Sequence, residues 1–216
     1  LENAVQTAQQ VIQYGVPIAR IEMLNKDQMG ISINYSKLKD IQAVPTLFFE
    51  FHGSESSNNE NIKIVEEISK DNNGSSFKWA KDLEDRNKLW KARWDVYYSV
   101  KALINNGRVY STDVCLPISK ITECVNFAEK ETKKFGLRAP MVGHLGDGNF
   151  HVILPYDPKE EGTYNKIRDF SDLLIKKTLE LNGTITGEHG VGLHKKAYLL
   201  QEHADSIPLM LSLIHI

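Results

Sequence analysis

The stretch GHLGDGNFH, Gly143 to His151, sets the arrangement of the second half of this chain. Asp147-Gly148 is a strong hairpin signal, because a type I′ turn needs positive φ at both central positions and Asp-Gly tolerates it. Apolar runs at 139–145 and 150–155 flank the turn and read as its two strands. A two-residue turn makes Leu145 face Phe150 and His144 face His151. The two imidazoles then share one face with Cβ atoms roughly 4.5–5.5 Å apart, from which both can reach one ion at about 2.0–2.1 Å. Either histidine alone is ordinary polar filler. Gly143, Gly146 and Gly148 weigh against that reading, since glycine weakens a strand unless a backbone or ligand must approach closely. Two ligands still leave the site incomplete.

A second glycine-rich stretch, GTITGEHGVG at Gly183–Gly192, supplies a third. It is no dinucleotide fingerprint and no P-loop, because its spacing is G-x-x-G-x-G and no Gly-Lys-Ser/Thr follows. It offers Glu188 beside His189, just before an expected helix at 191–201. In extended backbone, neighbouring side chains point to opposite sides, so Glu188 can bind an ion while His189 faces a substrate. His144, His151 and Glu188 make a two-histidine, one-carboxylate set with open coordination positions. Taken alone, Glu188 also reads as a carboxylate at a helix start. Arg93, among Trp90, Trp94 and Tyr97, reads either as a surface arginine over aromatic stems or as an anchor for a substrate carboxylate.

Outward from these motifs, strands are expected at 17–23, 45–51, 77–80 and 108–116. Helices are expected up to about 35, between a polar loop at 54–61 and residue 71, and over 82–103. Further helices are expected from Pro117 to Gly136 and over 160–181, the last stopped by Asn182-Gly183. Ile118, Ile121, Val125 and Ala128 mark a buried helical stripe. The halves read β-α-β-α-β and β-α-β-β-α. The expected fold class is α+β: ferredoxin-like βαβ units forming a largely antiparallel sheet with helices on one face.

The bulk properties agree with an ordinary globular chain: 216 residues, 41% apolar, 25% charged and a net charge of -2. A balance this neutral, with no lysine or arginine cluster, gives no footprint for nucleic acid or an anionic membrane. No apolar run approaches the roughly 20 residues of a membrane span. The two cysteines, Cys115 and Cys124, are too few for a disulfide framework. The chain starts at Leu1 and reads as an internal piece of a longer protein.

STDVCLPIS (Ser111–Ser119), VGHLGDGNFH (Val142–His151) and GTITGEHGVG together resemble the C-terminal domain of FAD-linked 2-hydroxyacid oxidoreductases. Within these they are most like the mitochondrial D-lactate dehydrogenase branch, over roughly residues 18–203. The resemblance implies a substrate- and metal-binding cap domain at 1–202, with FAD held mainly by an N-terminal domain outside this chain. The tail at 203–216, ending LMLSLIHI, does not resemble the family and is expected to pack poorly. It implies a divalent metal, zinc or manganese, on His144, His151 and Glu188, with His189 as general base and Arg93 on the substrate carboxylate. A small 2-hydroxyacid substrate, cytochrome c as a candidate electron acceptor and a mitochondrial location follow in the same way. Related 2-hydroxyglutarate enzymes carry a lysine and an asparagine where this chain has Ser111 and Ile153, which favours a small monocarboxylate. Two other readings of the residues stay open: a flavin-independent metal hydrolase or oxygenase, and a metal-binding module without activity.

Overall fold

A computed structural model describes residues 1–38, 41–75, 77–78, 80 and 83–215. Its helices are α1 (Glu2–Gln13), α2 (Lys26–Ser36), α3 (Glu55–Asp71), α4 (Leu83–Trp94), α5 (Val96–Lys101), α6 (Ile121–Lys134), α7 (Thr163–Glu180), α8 (Lys196–Glu202) and α9 (Ile207–Ser212). The strands are β1 (Arg20–Leu24), β2 (Thr46–Glu50), β3 (Arg108–Ser111), β4 (Val114–Cys115), β5 (Met141–His144) and β6 (Asn149–Tyr156). They form one sheet in the order β2-β1-β5-β6-β3, with β4 on the other half of β6. Every pairing is antiparallel, and the two halves of the sequence share this sheet instead of forming two units.

Alternation along the strands divides the side chains between two faces. Ile21, Met23, Met141, Phe150, Val152 and Leu154 point into the main core, where α6 contributes Ile121, Val125 and Ala128. From α7 come Ile167, Phe170 and Leu174, and α1 and α3 complete that side. Leu24, Val142 and Ile153 point the other way and meet Met29 and Ile31 of α2 and Val96 and Val100 of α5. The helices therefore do not keep to one face, as the sequence suggests, because α2 and α5 cover part of the second. The rest of that second face carries Glu22, His144 and His151, of which Glu22 and His151 are buried.

Several elements differ from the sequence reading, each for a local reason. The polar segment at 54–61 is not a loop but the start of α3, N-capped by Ser54, whose side chain accepts from the Ser57 N–H. The helix expected over 82–103 is broken at Asp95 into α4 and α5; its start at Asp82 lies outside the described residues. Of the strand expected at 77–80, Trp79 lies outside them, and Phe77 and Lys78 are in no strand. The run at 108–116 is interrupted at Thr112 and Asp113, where the chain turns its polar side chains toward β6 and the 183–192 loop. Asn182 ends α7 with φ of 59°, as its Asn-Gly sequence implies.

The central hairpin keeps its face but not its register. His144 pairs with Asn149 and Val142 with His151, two residues away from the two-residue turn. Leu145 is buried and its N–H donates to the Ile21 carbonyl, while the Gly148 carbonyl accepts from Leu116 N–H at 2.9 Å. Both positions are claimed by β1 and by the residue after β4, so they cannot also close a two-residue turn. In that loop only Gly148 has positive φ, at 78°, and a Cβ there would lie 2.0 Å from the Leu116 carbonyl oxygen. A shift of two preserves the side-chain alternation. His144 and His151 thus lie diagonally on one face instead of directly opposite.

Candidate metal centre

Three donor atoms, one each from His144, His151 and Glu188, lie within 4.8 Å of one another. Glu188 Oε1 is 3.0 Å from His151 Nε2 and 3.6 Å from His144 Nε2. Ligands at about 2.0–2.1 Å around a tetrahedral zinc are separated by about 3.4 Å, so the spacing fits such an ion. The His151 ring is 5% exposed, and its Nε2 has no hydrogen-bond partner despite the nearby carboxylate. A buried nitrogen of that kind needs a partner, and its place among two further donors is where a metal would sit.

Both imidazoles are fixed from behind. His151 Nδ1 lies 2.9 Å from the Thr112 carbonyl oxygen, which can only accept, so the proton sits on Nδ1 and the lone pair on Nε2. Burial pushes its pKa down, which keeps it neutral and able to ligate. His144 Nδ1 lies 2.8 Å from Glu22 Oε1, with the same effect on its tautomer. That hydrogen bond raises the His144 pKa, with burial opposing. Burial works against the charge on Glu22, but His144 and Arg93 outweigh it and hold the carboxyl below its usual range.

Arg93, near the end of α4, donates through Nε to Glu22 Oε2 at 2.8 Å, and its Nη2 lies 3.2 Å from His144 Nε2. A cavity of about 480 Å³ opens beside it, lined among others by Ile18, Arg20, Trp90, Trp94 and His144. The Arg20 guanidinium stacks 4.8 Å from the Trp90 ring centre on this wall. A larger, shallower depression of about 1020 Å³, bordered by Asn25, Tyr35 and Arg138, contains none of the site residues.

The 183–192 loop is organised by one carboxylate that the sequence reading did not single out. Asp113, 2% exposed, accepts from the Thr186 hydroxyl at 2.6 Å and from Asn149 Nδ2 at 2.9 Å. It also accepts from the backbone N–H groups of Gly187 and His189 at 3.0 Å and of Glu188 at 3.3 Å. Lys195 Nζ stands 3.5 Å away and donates to the carbonyls of Asp113 and Ile185. Burial alone would raise the Asp113 pKa, but these donors hold it far below the usual carboxylate range. Successive N–H groups aimed at one anion curl the backbone into a nest. Glu188 and His189 consequently do not point to opposite sides: His189 Nε2 lies 3.4 Å from Glu188 Oε1, and its ring centre 5.1 Å from that of His151. Gly187 is required by the same packing, since a Cβ there would lie 2.0 Å from Asn149 Nδ2.

All five residues expected at the site therefore meet at one end of the sheet, joined by Glu22, Thr112, Asp113 and Lys195. Glu22 and Asp113 had a sequence signal: Glu22 is a lone acid among Ile21, Met23 and Leu24, and Asp113 is the one acid of the strand expected at 108–116, positions where carboxylates are disfavoured unless paired.

Residues 1–213 match the family described as FAD linked oxidases, C-terminal domain. The probable mitochondrial D-lactate dehydrogenase of Danio rerio is 41% identical over 202 residues, covering 94% of this chain and 40% of the relative. The mitochondrial D-lactate dehydrogenase [cytochrome] of Arabidopsis thaliana is 33% identical, covering 94% and 35%. This chain thus spans about two fifths of the length of the curated relatives it matches. Among solved structures, an alkyldihydroxyacetonephosphate synthase superposes with a TM-score of 0.58 at 15% identity, covering 94% of this chain and 41% of the other. That likeness concerns the fold. From the family match and the relatives, this chain belongs to the C-terminal domain family of FAD linked oxidases.

Proposed function

We propose that this chain is the substrate- and metal-binding cap of an FAD-dependent oxidoreductase that converts D-lactate, or a similar small D-2-hydroxyacid, to its 2-oxoacid. The observation that carries the reading is the convergence of His144, His151 and Glu188 donors, with His189 and Arg93 at the rim. Family membership and relatives named as D-lactate dehydrogenases supply the reaction class. Several of those relatives are named as mitochondrial, and we assign the same compartment here. The word cytochrome in some of their names makes cytochrome c the electron acceptor to test first.

His144, His151 and Glu188 would hold a divalent metal, zinc or manganese, and the FAD would be bound mainly by protein outside this chain. When bound, the metal would supply polarisation of the substrate hydroxyl and the flavin would supply the hydride acceptor. The chain's own residues do the rest. Arg93 spends its Nε–Nη2 edge on Glu22 and His144, leaving the Nη1/Nη2 fork for a substrate carboxylate. His189, half exposed beside Glu188, takes the hydroxyl proton at Nε2 as C2 is oxidised. His151 and His144 keep their protons on Nδ1 and so present lone pairs to the site. Ser111 and Ile153 are cross-strand partners on the His151 side of the sheet. They offer no cation or amide to a second carboxylate, which supports a monocarboxylate substrate.

Full-length protein should show flavin absorbance and reduce a dye in the presence of D-lactate, forming pyruvate. A flavin-free protein, or one with flavin and no D-lactate-dependent reduction, would overturn this reading.

A further inference from the structure

Glu22 is 5% exposed and sits in β1 directly across from His144 of β5, on the face that carries the site. Its two oxygens serve two different partners: Oε1 takes His144 Nδ1 and Oε2 takes Arg93 Nε, both at 2.8 Å. Arg93 Nη2 closes the triangle at 3.2 Å from His144 Nε2. An ion pair that served only to neutralise a buried acid would need Arg93 alone. Here the second oxygen is spent on the imidazole, and the partners come from elements far apart in sequence, β1, α4 and β5. The Nε contact does not involve the His144 Nε2 lone pair, so it holds Arg93 whichever cation takes that lone pair.

We infer that Glu22 is a positioning residue that aligns the metal-ligating imidazole of His144 and the substrate anchor Arg93 through one carboxylate. The inference rests on the proposed function and deepens it, since it ties metal affinity and hydroxyacid binding to one side chain. The carboxylate can accept from both partners at once because both oxygens are acceptors. Glutamine at this position offers one acceptor and one amide, so it can satisfy the His144 Nδ1–H or the Arg93 Nε–H, but not both.

The test uses full-length protein stripped of metal and titrated with Mn²⁺, with the free ion followed by electron paramagnetic resonance. Glu22→Gln is expected to weaken Mn²⁺ binding by about 10–100-fold, as loss of a partner behind a ligand does. It is also expected to lower kcat/KM for D-lactate by up to about 10²-fold through a displaced Arg93. Glu22→Asp keeps the buried charge and serves if the glutamine variant does not fold. Its shorter side chain cannot span both partners, so a smaller loss in both readouts is expected. Unchanged Mn²⁺ affinity in a folded variant overturns the inference, as does weakened Mn²⁺ binding with unaltered kcat/KM. Wild-type protein that binds no Mn²⁺ overturns the underlying reading of the site, and the inference with it; the wild-type titration separates the two failures.

Discussion

The two halves of the site are held by different means. His144 and His151 stand on β5 and β6, in a sheet whose backbone register fixes them, and each ring is pinned by an acceptor behind Nδ1. Glu188 and His189 stand on a loop, more than half exposed, and are placed by backbone N–H groups gathered around the Asp113 carboxylate. One half is preorganised by strand pairing and the other by a single buried anion. Removing one sheet histidine should thus leave the fold standing, whereas disturbing Asp113 should cost both geometry and stability.

The largest contrast should come from His189, the base proposed on the loop. His189→Ala is expected to lower turnover on D-lactate by roughly 10²–10⁴-fold while metal content stays at the wild-type level. Normal turnover would remove His189 from the chemistry.

Asp113→Asn comes next, because it leaves several buried donors short of an acceptor. An unfolding free energy lower by about 2–4 kcal/mol at neutral pH is expected from chemical denaturation. The sign with pH follows from its depressed folded pKa. The stabilisation is complete above the unfolded value near 3.8 and is lost as pH falls toward the folded one. The variant should therefore lose less stability on acidification than the wild type, and parallel acid profiles would contradict this role.

The smallest effect is expected for Gly187→Ala, whose Cβ would press on the Asn149 amide at 2.0 Å. Asn149 can give way only by loosening its bonds to Asp113 and to the Val114 carbonyl. A loss of about 1–3 kcal/mol is expected. A melting temperature equal to the wild type would show that the loop packs loosely against β6.

The same contrast explains how much could be read from the sequence. The sheet half was accessible from alternation: the apolar strands, the shared face of His144 and His151 and the stop at Asn182 all follow from local chemistry. Its register was not, because Leu145 and Gly148 are engaged by Ile21 and Leu116, partners distant in the chain. Glu188 and His189 were accessible as residue types, yet their convergence depends on Asp113, about 75 positions earlier in the chain. Extended backbone was the wrong premise for a loop wrapped around an anion. Glu22 is one acid among Ile21, Met23 and Leu24, and nothing local indicates which groups meet it.

The metal content of purified full-length protein, with and without His151→Ala, decides whether the histidines and Glu188 hold an ion. His151 is chosen because its ring is buried in the sheet half and its Nε2 lacks a hydrogen-bond partner. One divalent ion per chain is expected in the wild type, with loss of that ion in a variant that still folds and binds flavin. An equal metal content in both proteins, or an active wild type with no divalent metal, would contradict it.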